Sequence, residues 1–360
     1  AARQGAQAAV QDAETKVLGQ RPRPFFNAVR AGVGRLHPGD LQAQRRTGLD
    51  DFGDSTLLTR LQAQVEAVEA ELKKLGYKTR SMPFDLTRKD FSTRIKKLHP
   101  LCVFNLVECV HGDGRLIHLA CSYLDLMGIP YTGAGSDAMY LTSNKILAKR
   151  WMRYAGIPTP EWVVPGKPLE CDLPFPSTYI LKAMWEDASI GLDGESVVEA
   201  SGLEDLLGML RQKEQNLKKP CFAEHYIDGR EFNLALLASD GKGPGAQVLP
   251  PSEITFDYAD HMPRIVDYKA KWIEGTPEYE GTERVLDFPP EDAPLLKELD
   301  ELALKCWQCF DLKGYARVDV RVDDQENPWV LEINANPCIS PNGGFWAASL
   351  KAGVPFNDMI

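Results

Sequence analysis

The stretch YARVDVRVDDQENPWVLEINANP, residues 315–337, decides the fold class because it predicts two β-strands joined by a short polar turn. Side chains along a strand point alternately to its two faces. In the first strand, valines alternate with charged residues, in the order Arg317, Val318, Asp319, Val320, Arg321 and Val322. This pattern predicts one strand of a hairpin with one face in the core and the other carrying charge.

The same argument applies to the second strand, residues 329–334. Strict alternation places Trp329, Leu331 and Ile333 on one face and Val330, Glu332 and Asn334 on the other. We therefore expect Trp329 and Ile333 to join the valines in the core. The opposite face would then gather Asp319, Glu332 and Asn334, with Arg317 beside them.

Two carboxylates and one amide oxygen form a hard, oxygen-only ligand set, which suits Mg²⁺. The predicted ligands are Asp319, Glu332 and Asn334. Arg317 would stabilise negative charge that develops beside the metal. The alternative is a solvated face whose acids are ordinary surface residues, and the spacing by itself leaves both interpretations open.

The bulk composition limits the class of protein. A chain of 360 residues predicts two or three domains. With 41 basic and 51 acidic residues its formal charge is −10, which argues against a nucleic-acid partner. We also expect no membrane partner, because no apolar run is long enough to cross a bilayer. The eight cysteines lack disulfide-framework spacing, so we expect free thiols and a cytoplasmic location. Cys306 and Cys309 are predicted to be small apolar residues on a helix rather than a redox or zinc pair.

The chain is predicted to divide into four parts. Residues 1–50 are rich in Ala, Gln and Gly and show no sustained strand pattern, so we expect an atypical, flexible segment. A short element could still lie within residues 15–19 or 24–34. A near-continuous apolar strand at 101–108, between helical patterns, predicts a parallel sheet in an N-terminal α/β domain of residues 51–140. A central subdomain (141–228) and a C-terminal subdomain (229–360) would complete the chain.

Several cations lie where phosphate could bind. Lys182 ends a predicted strand and precedes a small-residue loop with Ser189 and Gly191, which could hold phosphate through backbone N–H groups. A turn with a solvated lysine is the plainer alternative. Lys145 and Lys149 face the same side of a helix, and that side could equally be its solvated face.

The stretch CFAEHYIDGREFNLALL, residues 221–237, carries two acids that flank a turn and are predicted to point inward. These are Glu224 and Glu231, and carboxylates can accept hydrogen bonds from an adenine amino group and from ribose hydroxyls. Lys271, in the stretch DYKAKW, adds a cation from a loop.

Taken in order, these stretches resemble the ATP-grasp superfamily, specifically D-alanine–D-alanine ligase and its close relatives. The resemblance covers residues 100–345 and rests on VFNLVE, the run HGDGRLIHLACSYLDLMGIPYTGAGSDAMYLTSNKILAKRWMRYAGIPTP, YILKAMWEDASIG, FAEHYIDGREFNLALL, DYKAKW, GYARVDVRVDD and PWVLEINANP. It implies an α/β fold (α+β in the broader sense) of three subdomains, an ATP-grasp fold. The N-terminal domain would contain a parallel sheet, and the central and C-terminal lobes would grip ATP.

The resemblance also implies a role for each candidate residue. In the nucleotide site, Lys145 and Lys182 would contact the phosphates and base, and Glu231 would bind the ribose. The adenine pocket would be lined by Glu224, His225 and Ile227. Ser189 and Gly191 would lie in a mobile loop over the phosphates, with Lys271 near the γ-phosphate. Asp319, Glu332 and Asn334 would hold two Mg²⁺ ions, for which Mn²⁺ could substitute. Arg317, Lys271 and Ser189 would be the catalytic residues.

The implied reaction is ligation of a carboxylate to an amine through an acyl phosphate, with release of ADP and phosphate. The substrates would be amino acids or peptides, and the chain could form a homodimer. The alternative is an ATP- and magnesium-binding protein without D-alanine ligase activity, either non-catalytic or with another substrate.

Three departures from the family pattern concern the substrates. Residues 1–60 lack the glycine-rich strand–turn with a glutamate that receives the first substrate's amino group. Gly343 and Gly344 stand where the ligases carry a serine–leucine pair that holds the second substrate's carboxylate. His225 and Trp272 stand at positions where the ligases commonly carry other residues. The resemblance therefore supports the ATP and metal chemistry more strongly than D-alanine specificity.

Overall fold

A computed structural model describes residues 25–31, 55–186, 189–239, 245–341 and 343–360 of the chain. Their strands form three sheets, each covered by helices. No helix among these residues is long and apolar enough to cross a lipid bilayer. All eight cysteines are free thiols, as the sequence predicts.

The first sheet is parallel and lies in the N-terminal part of the chain. Its elements are β1 (Phe25–Ala31), α1 (Ser55–Lys74), β2 (Lys78–Thr79), β3 (Met82–Phe84), α2 (Phe91–Leu98), β4 (Cys102–Leu106) and α3 (His118–Met127). β1 lies between β4 on one edge and the short β2 and β3 on the other. The apolar strand predicted at 101–108 is confirmed as β4, and the helices α2 and α3 lie on either side of it in the chain.

The strand β1 corrects the prediction for residues 1–50. We expected no sustained strand there, yet Phe25–Ala31 pairs with three other strands. Asn27 and Arg30 interrupt its apolar sequence, so neither alternation nor a continuous apolar run identifies it. The strand falls within the stretch 24–34 that could contain a short element. The rest of residues 1–50 lies outside the described residues.

The second sheet is antiparallel, with the strand order β5-β8-β6-β7. Its strands and the neighbouring helices are α4 (Ser136–Ser143), α5 (Lys145–Tyr154), β5 (Trp162–Val163), β6 (Ser177–Ala183), β7 (Val197–Ala200), α6 (Leu203–Leu217) and β8 (Cys221–His225). Leu206 and Leu210 of α6 are buried against Leu181 and Ala223 of the sheet. The sheet therefore has one face covered by α6 and presents the end of β6, at Lys182, to the rest of the molecule.

The third sheet has the strand order β12-β11-β9-β13-β14, with β10 also paired to β9. Its elements are β9 (Arg230–Ala238), β10 (Ala246–Val248), β11 (Ser252–Phe256), α7 (Tyr268–Trp272), α8 (Pro277–Glu280), β12 (Thr282–Val285), α9 (Ala293–Cys309), β13 (Tyr315–Val322), β14 (Pro328–Asn334), α10 (Gly344–Lys351) and α11 (Phe356–Met359). Helix α9 packs on one face, where Leu299, Ala303 and Cys306 are fully buried in the largest core cluster. The prediction that Cys306 and Cys309 are helical residues of a core-facing helix is confirmed.

The predicted hairpin is present, but a β-bulge changes which residues face the core. Asp319 pairs with Glu332, whereas the next residue, Val320, pairs with Val330, so Leu331 is the extra residue. Val330 is therefore buried in the core, while Trp329 is only half-buried and donates its Nε1–H to Asp323. The prediction of a core-facing Trp329 and an outward Val330 is wrong, because strict alternation ends at Leu331. The predictions for Ile333 and the three valines are confirmed.

Gly314 lies where the start of β13 approaches the backbone of Gly133. It lies just before β13 in the left-handed region, with φ of 69°. A Cβ atom there would lie 2.8 Å from the Cα and N atoms of Gly133, which are backbone atoms that cannot rotate away. Gly353 has a similar φ of 74°, but no atom lies within 4 Å of its Cβ position.

We predict that Gly314→Ala lowers the stability more than Gly353→Ala does. Both variants place alanine at positive φ, at a cost of about 1 kcal/mol. Gly314→Ala must also displace the backbone of Gly133, which adds about 1–3 kcal/mol. Thermal unfolding of both variants beside the wild type measures the difference. Equal losses would contradict the close backbone contact.

Helix α9 also contains Asp300, whose ionised carboxylate is disfavoured by burial. The Oδ1 atom of Asp300 is buried and has no hydrogen-bond partner among the described residues. Burial raises the pKa of Asp300 from 3.8 to about 6. Because the folded-state pKa lies above the unfolded value, the ionised form of Asp300 destabilises the fold as the pH rises through about 6.

We therefore predict that Asp300→Asn raises the melting temperature near pH 8 and leaves it unchanged near pH 4. At the lower pH the carboxyl is protonated in the folded protein, so the substitution removes no buried charge. Glu298→Gln, at an exposed position of the same helix, is the control. A pH-independent effect of Asp300→Asn would contradict the assignment.

Candidate active site

A cleft lies between the second and third sheets and collects most of the residues that the sequence singled out. The second sheet and its loop contribute Ile180, Lys182, Ala183, Glu186, Ser189, Ile190, Leu192, Glu224, His225, Tyr226 and Ile227. The third sheet and its connections contribute Glu231, Ile265, Val266, Lys271, Asp319, Arg321, Leu331 and Glu332, and Lys145 completes the lining. The cleft therefore combines apolar walls with basic and acidic side chains.

Lys145 begins helix α5, directly after its N-cap. The Asn144 side chain caps the helix by accepting hydrogen bonds from the backbone N–H groups of Ile146 and Leu147, each at 3.0 Å. The Lys145 ammonium group lies 3.1 Å from Glu332 Oε2 and donates to the carbonyl oxygen of Glu186 at 2.8 Å. With 7 % of its surface exposed, Lys145 is not on a solvated helix face.

Lys149, one turn further along α5, is fully buried and takes part in a network of three charged side chains. Its ammonium group lies 2.7 Å from Oε2 of Glu224, whose Oε1 accepts a hydrogen bond from Lys182. Lys149 also donates to Thr159 Oγ1 at 2.8 Å and to the Pro160 carbonyl at 3.1 Å. The interpretation of Lys145 and Lys149 as a solvated helix face is therefore wrong, because both cations find buried acceptors.

The pKa values in this network follow from burial and opposite charge. Burial alone would raise the pKa of Glu224, but the charges of Lys149 and Lys182 outweigh it and lower the pKa below its usual value. Burial lowers the pKa of Lys149, and Glu224 opposes that shift. Glu224 thus stays a carboxylate and fixes Lys182 at the cleft.

Glu231 is bound by a second buried cation, Arg321. The Arg321 guanidinium donates from Nε at 2.9 Å and from Nη2 at 2.8 Å, both to Glu231 Oε2. It also donates to the carbonyl oxygens of Ile227 and Arg264. Tyr226 and Phe256 lie beside this guanidinium, with ring centroids 5.6 and 5.5 Å away. Glu231 Oε1 takes no part in these bonds with Arg321.

Asp319 and Glu332 lie opposite each other in the register of β13 and β14. Arg317 donates to both Asp319 oxygens, at 2.7 and 2.8 Å, and Asn233 of β9 donates to Oδ1 at 2.9 Å. Asn334 lies opposite Arg317, two register pairs further along and therefore on the same face, and its Oδ1 accepts the backbone N–H of Asn336 at 3.1 Å.

The electrostatics of this carboxylate pair fit a divalent cation. Burial, aided by the charge of Glu332, raises the pKa of Asp319. Burial also opposes ionisation of Glu332, but Lys145, Lys271, Lys182 and Arg317 together lower its pKa below the usual range. A dication between the two carboxylates would offset their repulsion. No three His, Cys, Asp or Glu side chains form a metal-binding group in the described parts of the chain, so the third protein oxygen would come from Asn334.

The remaining predicted residues line or support the cleft. Lys271 is the fourth residue of α7, and burial, followed by the charge of Arg317, lowers its pKa. Ser189 adopts a positive φ of 62° and donates its hydroxyl to the Val266 carbonyl at 2.7 Å. Gly191 does not line the cleft; a Cβ there would lie 2.9 Å from Leu217. Ile227 lines the cleft, as does His225, whose Nε2 lies 2.9 Å from Ser177 Oγ.

The departures from the family pattern fall partly on described residues. The glycine-rich motif sought in residues 1–60 lies mainly outside them, since only 25–31 and 55–60 of that range are described. Gly343 caps helix α10 and Gly344 begins it. A Cβ atom on Gly344 would lie 3.3 Å from Nε and Nη2 of Arg284. Trp272 ends α7 directly after Lys271.

Sequence reasoning missed three residues of this site. Arg321 lies on the same predicted strand face as Arg317 and Asp319, and this shared face could have identified it as a site residue. Asn233 is the polar residue inside the apolar strand β9 and gave a weaker signal. Leu331 faces the cleft only because of the bulge, for which the sequence gives no sign.

The fold is the ATP-grasp fold. A D-alanine–D-alanine ligase from Bacillus anthracis, solved with ATP, matches with a TM-score of 0.63 at 20% identity over 93% of this chain and 94% of its own. D-alanyl-alanine synthetase A from Vibrio cholerae matches with a TM-score of 0.67 at 14% identity over 94% of this chain and 97% of its own. The predicted fold class is confirmed.

Sequence comparison then gives the family. The model of the D-ala D-ala ligase C-terminus matches residues 167–360. A D-alanine–D-alanine ligase from Synechococcus is 31% identical over 261 residues, 70% of this chain and 72% of the relative. An uncharacterised protein, y4sG, from Sinorhizobium fredii is 30% identical over 82% of this chain and 84% of the relative. The chain belongs to the D-alanine–D-alanine ligase family.

Members of this family are ATP-dependent ligases that form carbon–nitrogen bonds and use ATP with a divalent metal. The chain is accordingly an ATP-dependent ligase that resembles D-alanine–D-alanine ligase. The alternative of an ATP- and magnesium-binding protein without D-alanine ligase activity, either non-catalytic or with another substrate, is not favoured.

We predict that Lys149→Met destabilises the protein and that Glu224→Gln partly restores it in the double variant. Removing Lys149 leaves a buried carboxylate with one partner fewer, at a cost of about 3–5 kcal/mol. Neutralising Glu224 as well removes the uncompensated charge, so the two effects should not add. Thermal unfolding of the two single variants and the double variant measures the coupling. Additive losses would contradict a direct Lys149–Glu224 interaction.

Proposed function

We propose that this protein ligates an amino-acid carboxylate to an amine through an acyl phosphate, with Mg²⁺ as its metal. The convergence of Lys145, Lys182 and Lys271 on the carboxylates Asp319 and Glu332 carries the proposal. Such a site can neutralise a triphosphate and hold a divalent cation at its end. The family membership adds ATP-dependent ligation to that chemistry.

The nucleotide would lie along the cleft. Glu231 keeps Oε1 outside its bonds with Arg321, and that oxygen would accept a ribose hydroxyl. Ile180, Ile227 and Leu331 would pack on the base, because their apolar side chains line the same cleft. Lys182, oriented by Glu224, and Lys145, at the start of α5, would contact the phosphates. Glu224 would act mainly by orienting Lys182, since both its oxygens have lysine partners.

Asp319, Glu332 and Asn334 would hold the metal, which when bound supplies charge neutralisation for the phosphate oxygens. Two ions are the number that we propose. Arg317, bound through Nε and Nη2 to Asp319, would stabilise negative charge on the acyl oxygen with its remaining Nη1 group. Lys271 would face the transferred phosphoryl group, where a buried cation acts most strongly.

Water must be kept from an acyl phosphate, and the loop that carries Ser189 would serve this purpose. Ser189 Oγ donates to the Val266 carbonyl, and both residues line the cleft, so the loop would cover the phosphate end when the nucleotide is bound. The substrates that we propose are amino acids or short peptides. Eight free thiols are consistent with a cytoplasmic location, where ATP and amino acids are available.

ADP release in the presence of ATP, Mg²⁺ and pools of D- and L-amino acids tests the proposal. We expect turnover that depends on an added amino acid. Asp319→Asn and Glu332→Gln should each lower kcat/KM by about 100-fold or more, because each removes one metal-facing charge. Glu204→Gln, at an exposed position of α6, is the matched control and should leave turnover unchanged. Absence of amino-acid-dependent ADP release with every pool would overturn the proposal.

A further inference from the structure

Arg321 is a buried cation whose hydrogen bonds join separate segments of the cleft wall. It lies on β13 directly opposite Glu231 of β9, and 3 % of its surface is exposed. A guanidinium group has five N–H donors. In Arg321 two of them donate to Glu231 Oε2, two to the carbonyl oxygens of Ile227 and Gly229, and one to the carbonyl oxygen of Arg264. Because all five donors are taken, Arg321 can act on a ligand only through these partners.

The carbonyl partners of Arg321 belong to two further parts of the cleft. The connector of residues 226–229 joins β8 of the second sheet to β9 of the third sheet. Arg264 directly precedes Ile265 and Val266, which line the cleft. Arg321 therefore ties the connector and this third segment to the strand that carries its carboxylate partner.

The connector is packed closely against β13, which restricts the guanidinium further. Gly229 has a φ of 144°, and a Cβ atom there would lie 2.0 Å from the carbonyl oxygen of Val322. Tyr226, at the start of the connector, donates its hydroxyl to the Arg264 carbonyl at 3.2 Å. The centroid of the Tyr226 ring lies 5.6 Å from Cζ of Arg321. These contacts hold the forked donors of Arg321 in one direction.

The bonds from Arg321 reach only one oxygen of Glu231. Nε donates to Oε2 at 2.9 Å and Nη2 donates to the same atom at 2.8 Å, whereas Oε1 has no hydrogen-bond partner among the described residues. Glu231 lines the cleft and is 9 % exposed. An ionised carboxylate only accepts hydrogen bonds. Oε1 is therefore an acceptor that Arg321 orients, and it suits a hydroxyl donor.

We propose that Arg321 is a positioning residue that makes this protein select ATP over its deoxy forms. It fixes the Glu231 carboxylate so that Oε1 accepts one hydroxyl of the ribose, and a nucleotide without that hydroxyl loses the hydrogen bond. The inference rests on the nucleotide site of the proposed function. Arg321 touches neither the ribose nor the reacting atoms, and no bond is made or broken at it.

The binding of three nucleotides tests the proposal without requiring turnover. Isothermal titration calorimetry in the presence of Mg²⁺ gives the dissociation constants of ATP, 2′-deoxy-ATP and 3′-deoxy-ATP. We expect one of the deoxy nucleotides to bind the wild-type protein about 10–100-fold more weakly than ATP, because a hydrogen bond to a charged group is lost. The analogue that binds more weakly identifies the hydroxyl.

We expect Arg321→Met to lose most of this preference, because its side chain has no donors to hold Glu231. The dissociation constant of ATP should rise about 10-fold, toward that of the disfavoured deoxy nucleotide, whose own value should change little. Glu231→Met should lose the preference to the same extent, and the double variant should lose no more than either single variant. Arg321→Lys, which keeps the charge without the forked geometry, should keep part of the preference.

Arg230→Met is the matched control for a general loss of stability. Arg230 neighbours Glu231 on β9 and binds a carboxylate in a similar forked way, donating from Nε and Nη2 to Glu253 at 2.9 and 2.7 Å. Its side chain projects from the opposite face of the strand and does not line the cleft. This variant should unfold at a lower temperature than the wild type and keep the full preference for ATP.

The outcomes separate this inference from the proposed ligase function. An unchanged preference in Arg321→Met, equal binding of the three nucleotides by the wild type, or loss of the preference in Arg230→Met overturns the role of Arg321. If Arg321→Met does not fold, Arg321→Lys decides, and an undiminished preference in that variant overturns the role. A preference that depends on Arg321, found together with no amino-acid-dependent ADP release, refutes the ligase reaction and supports the role of Arg321.

Discussion

The pairing of every cleft carboxylate with a cation is the constraint on which the rest of the site depends. Glu224 has Lys149 and Lys182, Glu231 has Arg321, Asp319 has Arg317, and Glu332 has Lys145. Charges removed from water are tolerated only with such partners. Most of these pairs form within one sheet and its helix, whereas Glu332 of the third sheet pairs with Lys145 of α5, so its charge is compensated only when these two parts of the chain have come together.

The same constraint explains what the sequence could and could not predict. The hairpin of β13 and β14 and the charged face of Arg317 and Asp319 follow from a two-residue repeat that local geometry enforces. Lys149 appears as a solvated residue from its helix spacing, because its partner Glu224 is 75 residues away and comes close only in the fold. Ion pairs between distant segments carry no periodic signal.

The other incorrect predictions from the sequence concern the strand β1 and the β-bulge in β14. β1 lies between other strands of a parallel sheet and lacks the alternation that identifies half-exposed strands. The extra residue Leu331 has ordinary β-strand chemistry, and only its pairing with β13 reveals it. The prediction of free thiols is confirmed, because it rests on the spacing of the cysteines along the chain and not on contacts between distant segments.

The bulge at Leu331 makes register slippage of β14 costly in two ways. A shift by one residue would bring the apolar Leu331 opposite Asp319 and turn Glu332 away from its four cations. It would also remove Val330 or Ile333 from the core beneath α9. A misregistered hairpin thus loses core packing and charge compensation together, so one strand alignment satisfies both the core and the site.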